Sequence, residues 1–175
     1  MRLLFAFALA FFWIVPAYAI SEETGDGYST RTLADYIAKY VDVPAGATDW
    51  KVFGKTKEIE VAGRDKDGMD FEYQKPGFTD EVKKLDGKTV RVKGFMFPLE
   101  EDEDQHEFLF GPFPVSCPFH YHVGPALVIE VHTDKDKPVP FSYDPVTIEG
   151  TLELVPLDTE NSTFYRLRNA QAVKG

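Results

Sequence analysis

The chain has 175 residues and a formal net charge of −10, with 29 acidic side chains against 19 basic ones. That charge repels nucleic acid and anionic membrane surfaces, so the sequence argues against both as partners. With one cysteine, Cys117, the chain can form no internal disulfide.

Arg2 precedes an unbroken apolar run from Leu3 to Val15, and the small residues of Ala17-Tyr18-Ala19 close it. This is the order of a signal peptide, and it predicts cleavage after Ala19 and export to a bacterial periplasm. The run is too short for the roughly 20 residues of a membrane-spanning helix, and no second apolar run follows. No cysteine stands near the cleavage site to carry a lipid anchor, so no stable membrane insertion is expected once the leader is removed. The 156 residues left fit one domain, and losing Arg2 makes the exported chain one unit more acidic.

Four segments follow from composition: a signal peptide at 1–19, a leader with a short helix at 20–49, an N-terminal strand with a connecting region at 50–87, and a β-barrel core at 88–173. In the second, Thr32 and Asp35 resemble a capping box, and Leu33, Ile37 and Val41 repeat at a spacing of four, which predicts one amphipathic helix. Trp50 to Val61 reads as one or two strands around a turn at Gly54, with Trp50 and Phe53 as core anchors. Ala62 to Gly77 is polar and rich in Gly and Asp. Phe78 to Leu85 reads as a helical turn ahead of the Asp86-Gly87 turn.

From Lys88 to Phe97, Val90, Val92 and Met96 share one face and Thr89, Arg91 and Lys93 the other, the period of a half-buried strand. Gly94 interrupts it as a bulge or barrel bend would. Further strands are expected at His106–Phe110, Ala126–His132, Val139–Tyr143, Val146–Leu154 and Phe164–Ala172, joined by short Pro, Gly or Asp connections. A mainly β fold follows: a small antiparallel β-barrel resembling the oligonucleotide/oligosaccharide-binding type, with a short N-terminal helix; a sandwich would satisfy the same pattern.

The segment from Val115 to Pro125 holds the one cysteine and two of the four histidines. Cys117, His120 and His122 form a Cys-x-x-His-x-His pattern whose sulfur and imidazole donors suit zinc or copper. In an extended strand His120 and His122 share a face but Cys117 does not, so three-point ligation requires a turn at Pro118. A fourth ligand is open to His106, His132, Met96 or a carboxylate. The same residues also fit a buried thiol with two hydrogen-bonded histidines, or a reactive thiol beside an imidazole base. The acidic run from Glu100 to Asp104 lacks the glycine and alternating ligands of a calcium loop and reads as a solvated hairpin tip. Asn161-Ser162-Thr163 matches a glycosylation acceptor but reads as a turn. Phosphate loops, serine-nucleophile elbows, zinc-protease helices and Cys-x-x-Cys pairs do not occur.

The run Leu85-Asp86-Gly87-Lys88-Thr89-Val90-Arg91-Val92-Lys93-Gly94-Phe95-Met96-Phe97-Pro98-Leu99 resembles the opening signature of an exported bacterial family known as domain of unknown function 3299. Phe108-Leu109-Phe110, Cys117-Pro118-Phe119, Gly124-Pro125, Val128-Ile129-Glu130-Val131 and Tyr165-Arg166-Leu167-Arg168-Asn169-Ala170 follow in that family's order. The resemblance spans Trp50 to Val173 and implies an exported small β-barrel, with envelope metal handling among its members and no settled activity. The family's loop reads Cys-Pro-Phe-Cys or a related Cys- and His-containing form, whereas His120 stands here at the second cysteine. Imidazole forms no disulfide but can ligate a metal, so the exchange favours metal over redox chemistry.

Three functions stay open on these residues. The first is a periplasmic metal-binding or metal-handling accessory protein; the second is a non-catalytic envelope module binding a protein or glycan, with a structural Cys-His loop. The third is a thiol-dependent enzyme, for which no orienting third group can be named.

Overall fold

In the computed structural model, which describes residues 36–116, 123–158 and 162–174, the central strand is β3 (Thr89–Pro98). Val90 and Val92 are buried while Thr89 and Arg91 are exposed, as a period of two requires. From Thr89 to Gly94 it pairs antiparallel with β8 (Val146–Leu154), and from Phe95 to Pro98 with β5 (Glu107–Gly111). The change of partner falls at Gly94, where an added Cβ would lie 2.6 Å from the carbonyl oxygen of Gly111 and 3.1 Å from the Phe110 ring. Only glycine lets the strand bend this close to its neighbour.

With β6 (Ile129–Thr133) and β9 (Tyr165–Val173), these strands close a barrel in the order β3-β5-β6-β9-β8. A closed five-stranded barrel in this order is the oligonucleotide/oligosaccharide-binding type. One pairing departs from the expected antiparallel arrangement: β6 and β9 run parallel, with a register shift between Val131 and Thr133. The barrel interior holds Val92, Met96, Phe108, Phe110, Ile129, Val131, Ile148, Leu152 and Leu167, none more than 1 % exposed.

Residues 36–40 form a helical turn (α1) that delivers the buried Ile37, and Val41 just beyond it is buried too. The remainder of the expected helix, with Thr32, Leu33 and Asp35, lies outside the described residues, as do the leader and Asn161. The strand expected from Trp50 is instead a short helix, α2 (Trp50–Phe53), because the Asp49 side chain caps it by accepting from the Lys51 N–H. Trp50 and Phe53 are core anchors nonetheless, 1 % and 0 % exposed, and the Trp50 indole donates to the carbonyl of Lys93 at 2.7 Å.

β1 (Lys57–Arg64) follows, and the polar stretch after it contains a further strand, β2 (Asp70–Gly77), paired with β1 in an antiparallel hairpin outside the barrel. Its turn is built on Asp65, whose side chain accepts from the N–H groups of Asp67 and Met69, with Gly68 at φ +82°. The expected helical turn is α3 (Asp80–Lys83), capped by Thr79, and Val82 is its fully buried residue. β4 (Asp104–Gln105) and β7 (Val139–Pro140) form a separate two-stranded pair, so only the start of the strand expected at Val139–Tyr143 exists.

Candidate functional site

The Cys-x-x-His-x-His segment joins β5 to β6. Cys117, His120 and His122 lie outside the described residues, but both stems that carry the segment are described. On the entry side, Phe113 is 1 % exposed and meets the Tyr40 ring edge-on at 5.6 Å between centroids. Beyond it the chain surfaces at Val115 and Ser116. On the exit side, a 3-10 turn at Pro125–Leu127 buries Ala126 and Leu127. The N–H of Ala126 donates to the carboxylate of Glu58 at 3.2 Å, reaching across from β1. That carboxylate occupies the space a Cβ on Gly124 would need, so residue 124 must be glycine while Glu58 holds this place.

Between the stems lies an apolar cavity of about 180 Å³, lined by Phe97, Leu109, Phe113, Val123 and Leu127 among others. The stems on either side of residues 117–122 are thus both anchored, and Phe113, Val123 and Leu127 on them line this apolar hollow. Among the described residues no group of three His, Cys, Asp or Glu side chains is placed to hold a metal ion.

The three further ligand candidates sit apart from one another in character. Met96 is 1 % exposed inside the barrel. His106 is exposed beside the acidic connection between β3 and β4. That connection is solvated from Glu100 to Asp104, yet it is ordered by its ends. Glu100 accepts from the N–H groups of His106 and Glu107 at 2.6 and 3.2 Å, which hold its carboxyl below the usual range. The buried Gln105 amide donates to the carbonyls of Glu100 and Asp102.

His132 has both ring nitrogens engaged, Nδ1 with Glu107 at 3.0 Å and Nε2 with Glu130. It belongs to a polar network that the sequence reading passed over. Glu130, 4 % exposed, is bonded to His132, to the Thr163 hydroxyl at 3.2 Å and to Arg166 Nε at 3.1 Å. Arg166 also faces Asp158 at 3.4 Å, and the Thr163 hydroxyl bonds to that carboxylate at 3.1 Å. Burial pushes the Glu130 carboxyl up, but the hydrogen bonds from His132 and Arg166 outweigh it and leave it below its ordinary value. Both oxygens of the buried Glu130 carboxylate are bonded to protein groups, so the network ties β6 to β9 and to the segment before β9. The signal for it was a lone Glu within the apolar Val128-Ile129-Glu130-Val131, which needs a cation opposite; Arg166 is its direct cross-strand neighbour.

Next to Arg166 on β9, Tyr165 donates its hydroxyl to the carbonyl of Phe53 at 3.0 Å and is bonded to Thr56 at 2.6 Å. Burial pushes this hydroxyl up to about 12, so it stays protonated and works as a structural tie between β9 and α2. No helix among the described residues is long and apolar enough to cross a membrane.

The family described as "Protein of unknown function (DUF3299)" matches residues 43–174. A crystal structure of a DUF3299 family protein from Pseudomonas aeruginosa PAO1 is 28 % identical over 57 % of this chain, with a TM-score of 0.40. That match spans 64 % of the other chain, less than two thirds of its length. No curated protein matches.

Proposed function

Since the chain belongs to the DUF3299 family, whose description names no activity, we propose a function from its own residues: a periplasmic metal-binding or metal-handling accessory protein. Cys117, His120 and His122 are its ligands, and zinc or copper is its metal. The observation that supports this reading is the concentration of the only cysteine and two of four histidines in six residues, slung between the stems fixed by Phe113 and by the Glu58–Ala126 bond. Anchored ends limit the conformations the segment must give up to ligate, which raises affinity for a given donor set.

The donors fit the metals: one thiolate and two neutral imidazoles are a set that zinc and copper both accept. His132 is committed to two carboxylates and Met96 to the barrel interior, which leaves His106, a carboxylate, a solvent molecule or an incoming ligand for the fourth position. The signal-peptide pattern places the thiol in an oxidising compartment where it has no disulfide partner within the chain, and ligation protects it there. The acidic surface favours metal cations and disfavours nucleic acid.

Metal-depleted protein should bind Zn(II) or Cu(I) at least about 100-fold more tightly than a Cys117→Ala/His120→Ala variant, since two of three ligands are lost. Competition titration against a chromophoric chelator measures this. Equal affinities in the two proteins would overturn the proposal.

A further inference from the structure

The hairpin of β1 and β2 is a two-stranded sheet, and among the described residues no strand pairs with the outer edge of β2 and no element covers one of the hairpin's faces. The register from Lys57↔Gly77 to Arg64↔Asp70 puts Ile59, Val61, Phe71, Tyr73 and Lys75 on one face. Glu58, Glu60, Asp70 and Glu72 lie on the other. At the base of the hairpin Glu58 reaches the barrel and Pro76 is buried, so the acidic face turns inward there and the apolar face looks away. Ile59, Phe71 and Tyr73 are 44, 42 and 38 % exposed, and the Phe71 and Tyr73 rings stack at 5.9 Å. A two-stranded hairpin alone in water is marginally stable, and three or more strands are needed to hold such a face together.

The free edge has a definite hydrogen-bonding pattern. Asp65 N–H donates to the carbonyl of Met69 at the turn. Counting on from that pair, the backbone groups of Phe71, Tyr73 and Lys75 point to β1, and those of Asp70, Glu72 and Gln74 point outward. Pro76 also points outward, where its missing N–H costs the hairpin nothing. β2 pairs with β1 without a bulge, and among the described residues no strand pairs with its outer edge.

We propose that β2 pairs edge to edge with β2 of a second copy of this chain, antiparallel about a two-fold axis at Tyr73, to make a four-stranded sheet. The side chains select this register. A two-fold at Glu72 would set that carboxylate against its own copy, a destabilising like-charge pair. Glu72 is already crowded, since the adjacent Glu60 carboxyl on the same face raises its proton affinity. A two-fold at Tyr73 instead sets Glu72 opposite Gln74 of the other copy and Phe71 opposite Lys75, an aromatic–cation pair, with the two Tyr73 rings side by side. Glu72 and Gln74, two of the outward-facing residues, then exchange backbone hydrogen bonds with each other's copies. The contact is isologous and closes on itself, so it ends at a dimer.

Sedimentation of protein recovered from the periplasm should show a concentration-dependent dimer. Gln74→Pro removes an outward N–H without touching the β1 pairing, and it should yield monomer with unchanged far-ultraviolet circular dichroism. In a Cys117→Ser background, Tyr73→Cys should oxidise to a disulfide dimer much faster than Glu60→Cys, because directly opposed residues of a non-hydrogen-bonded pair lie within disulfide range. A wild-type monomer at every loading would overturn the proposal, as would a dimer that survives Gln74→Pro or equal cross-linking at positions 73 and 60. Slow amide exchange across Asp70–Gln74 in a monomer would assign the edge to another segment of the same chain and would overturn it too.

Discussion

Glu130 is a carboxylate inside an apolar strand, held by three hydrogen-bonding partners on β6, β9 and the segment before β9. Glu130→Gln keeps the shape but takes away the carboxylate charge that faces Arg166 and the hydrogen-bond acceptor it shares with His132. The expected cost is about 2–4 kcal/mol, toward the low end because both partners are about one-fifth exposed. Urea denaturation of the two proteins measures it. The pH dependence has a definite sign. The folded-state pKa of Glu130 is lowered from 4.5, so its contribution is complete above 4.5 and is lost as the pH falls through the folded value. Below about pH 4.5 the wild type should therefore lose stability more steeply than Glu130→Gln, and parallel pH profiles would refute the assignment.

At the scale of elements, β3 serves two neighbours, and Gly94 is the hinge between them. Gly94→Val would drive side-chain atoms into the Gly111 carbonyl and the Phe110 ring, with an expected loss of about 1–3 kcal/mol in thermal or urea melts. The strand and its interruption were legible in the sequence because alternation fails at one glycine. The start of the chain's core was less legible. Trp50 to Phe53 has strand-like composition, yet Asp49 supplies a cap and Phe53 must meet the Tyr165 ring at 5.0 Å, and a helical turn satisfies both. β2 escaped notice because its Asp, Glu, Gln and Lys residues resemble a polar linker. Only its alternation of Phe71 and Tyr73 with Glu72 and Gln74 signals a strand, and that strand is paired to β1 and buried only at Pro76.

For the whole molecule, α2, α3 and the barrel share one hydrophobic cluster, from Trp50, Phe53 and Val82 through Phe110 to Leu167. These parts should unfold together. In protein produced without residues 1–19, which carry Trp13, Trp50 is the single tryptophan and reports on α2, while far-ultraviolet circular dichroism reports on the barrel. The two midpoints should coincide in thermal unfolding; a lower midpoint for Trp50 fluorescence would show that α2 melts separately. If the proposed Cys117 site binds metal, added Zn(II) or Cu(I) should raise both midpoints together, since a ligand that binds only the folded state stabilises the whole cooperative unit.

By itself, the sequence determined the β class, most of the barrel strands and the core anchors, and it singled out the segment proposed to ligate a metal. Local pattern suffices for these: alternation sets which side chains face inward, and donor type sets which metals can bind. Tertiary structure alone decided the rest. Closure through the parallel β6–β9 pair, the Glu58 clasp on Ala126 and the Glu130–Arg166 tie all join residues more than 30 positions apart. The physical reason is that a period of two fixes faces but not neighbours: a strand's pattern records that it has a buried side, and only the folded chain chooses what lies beside it.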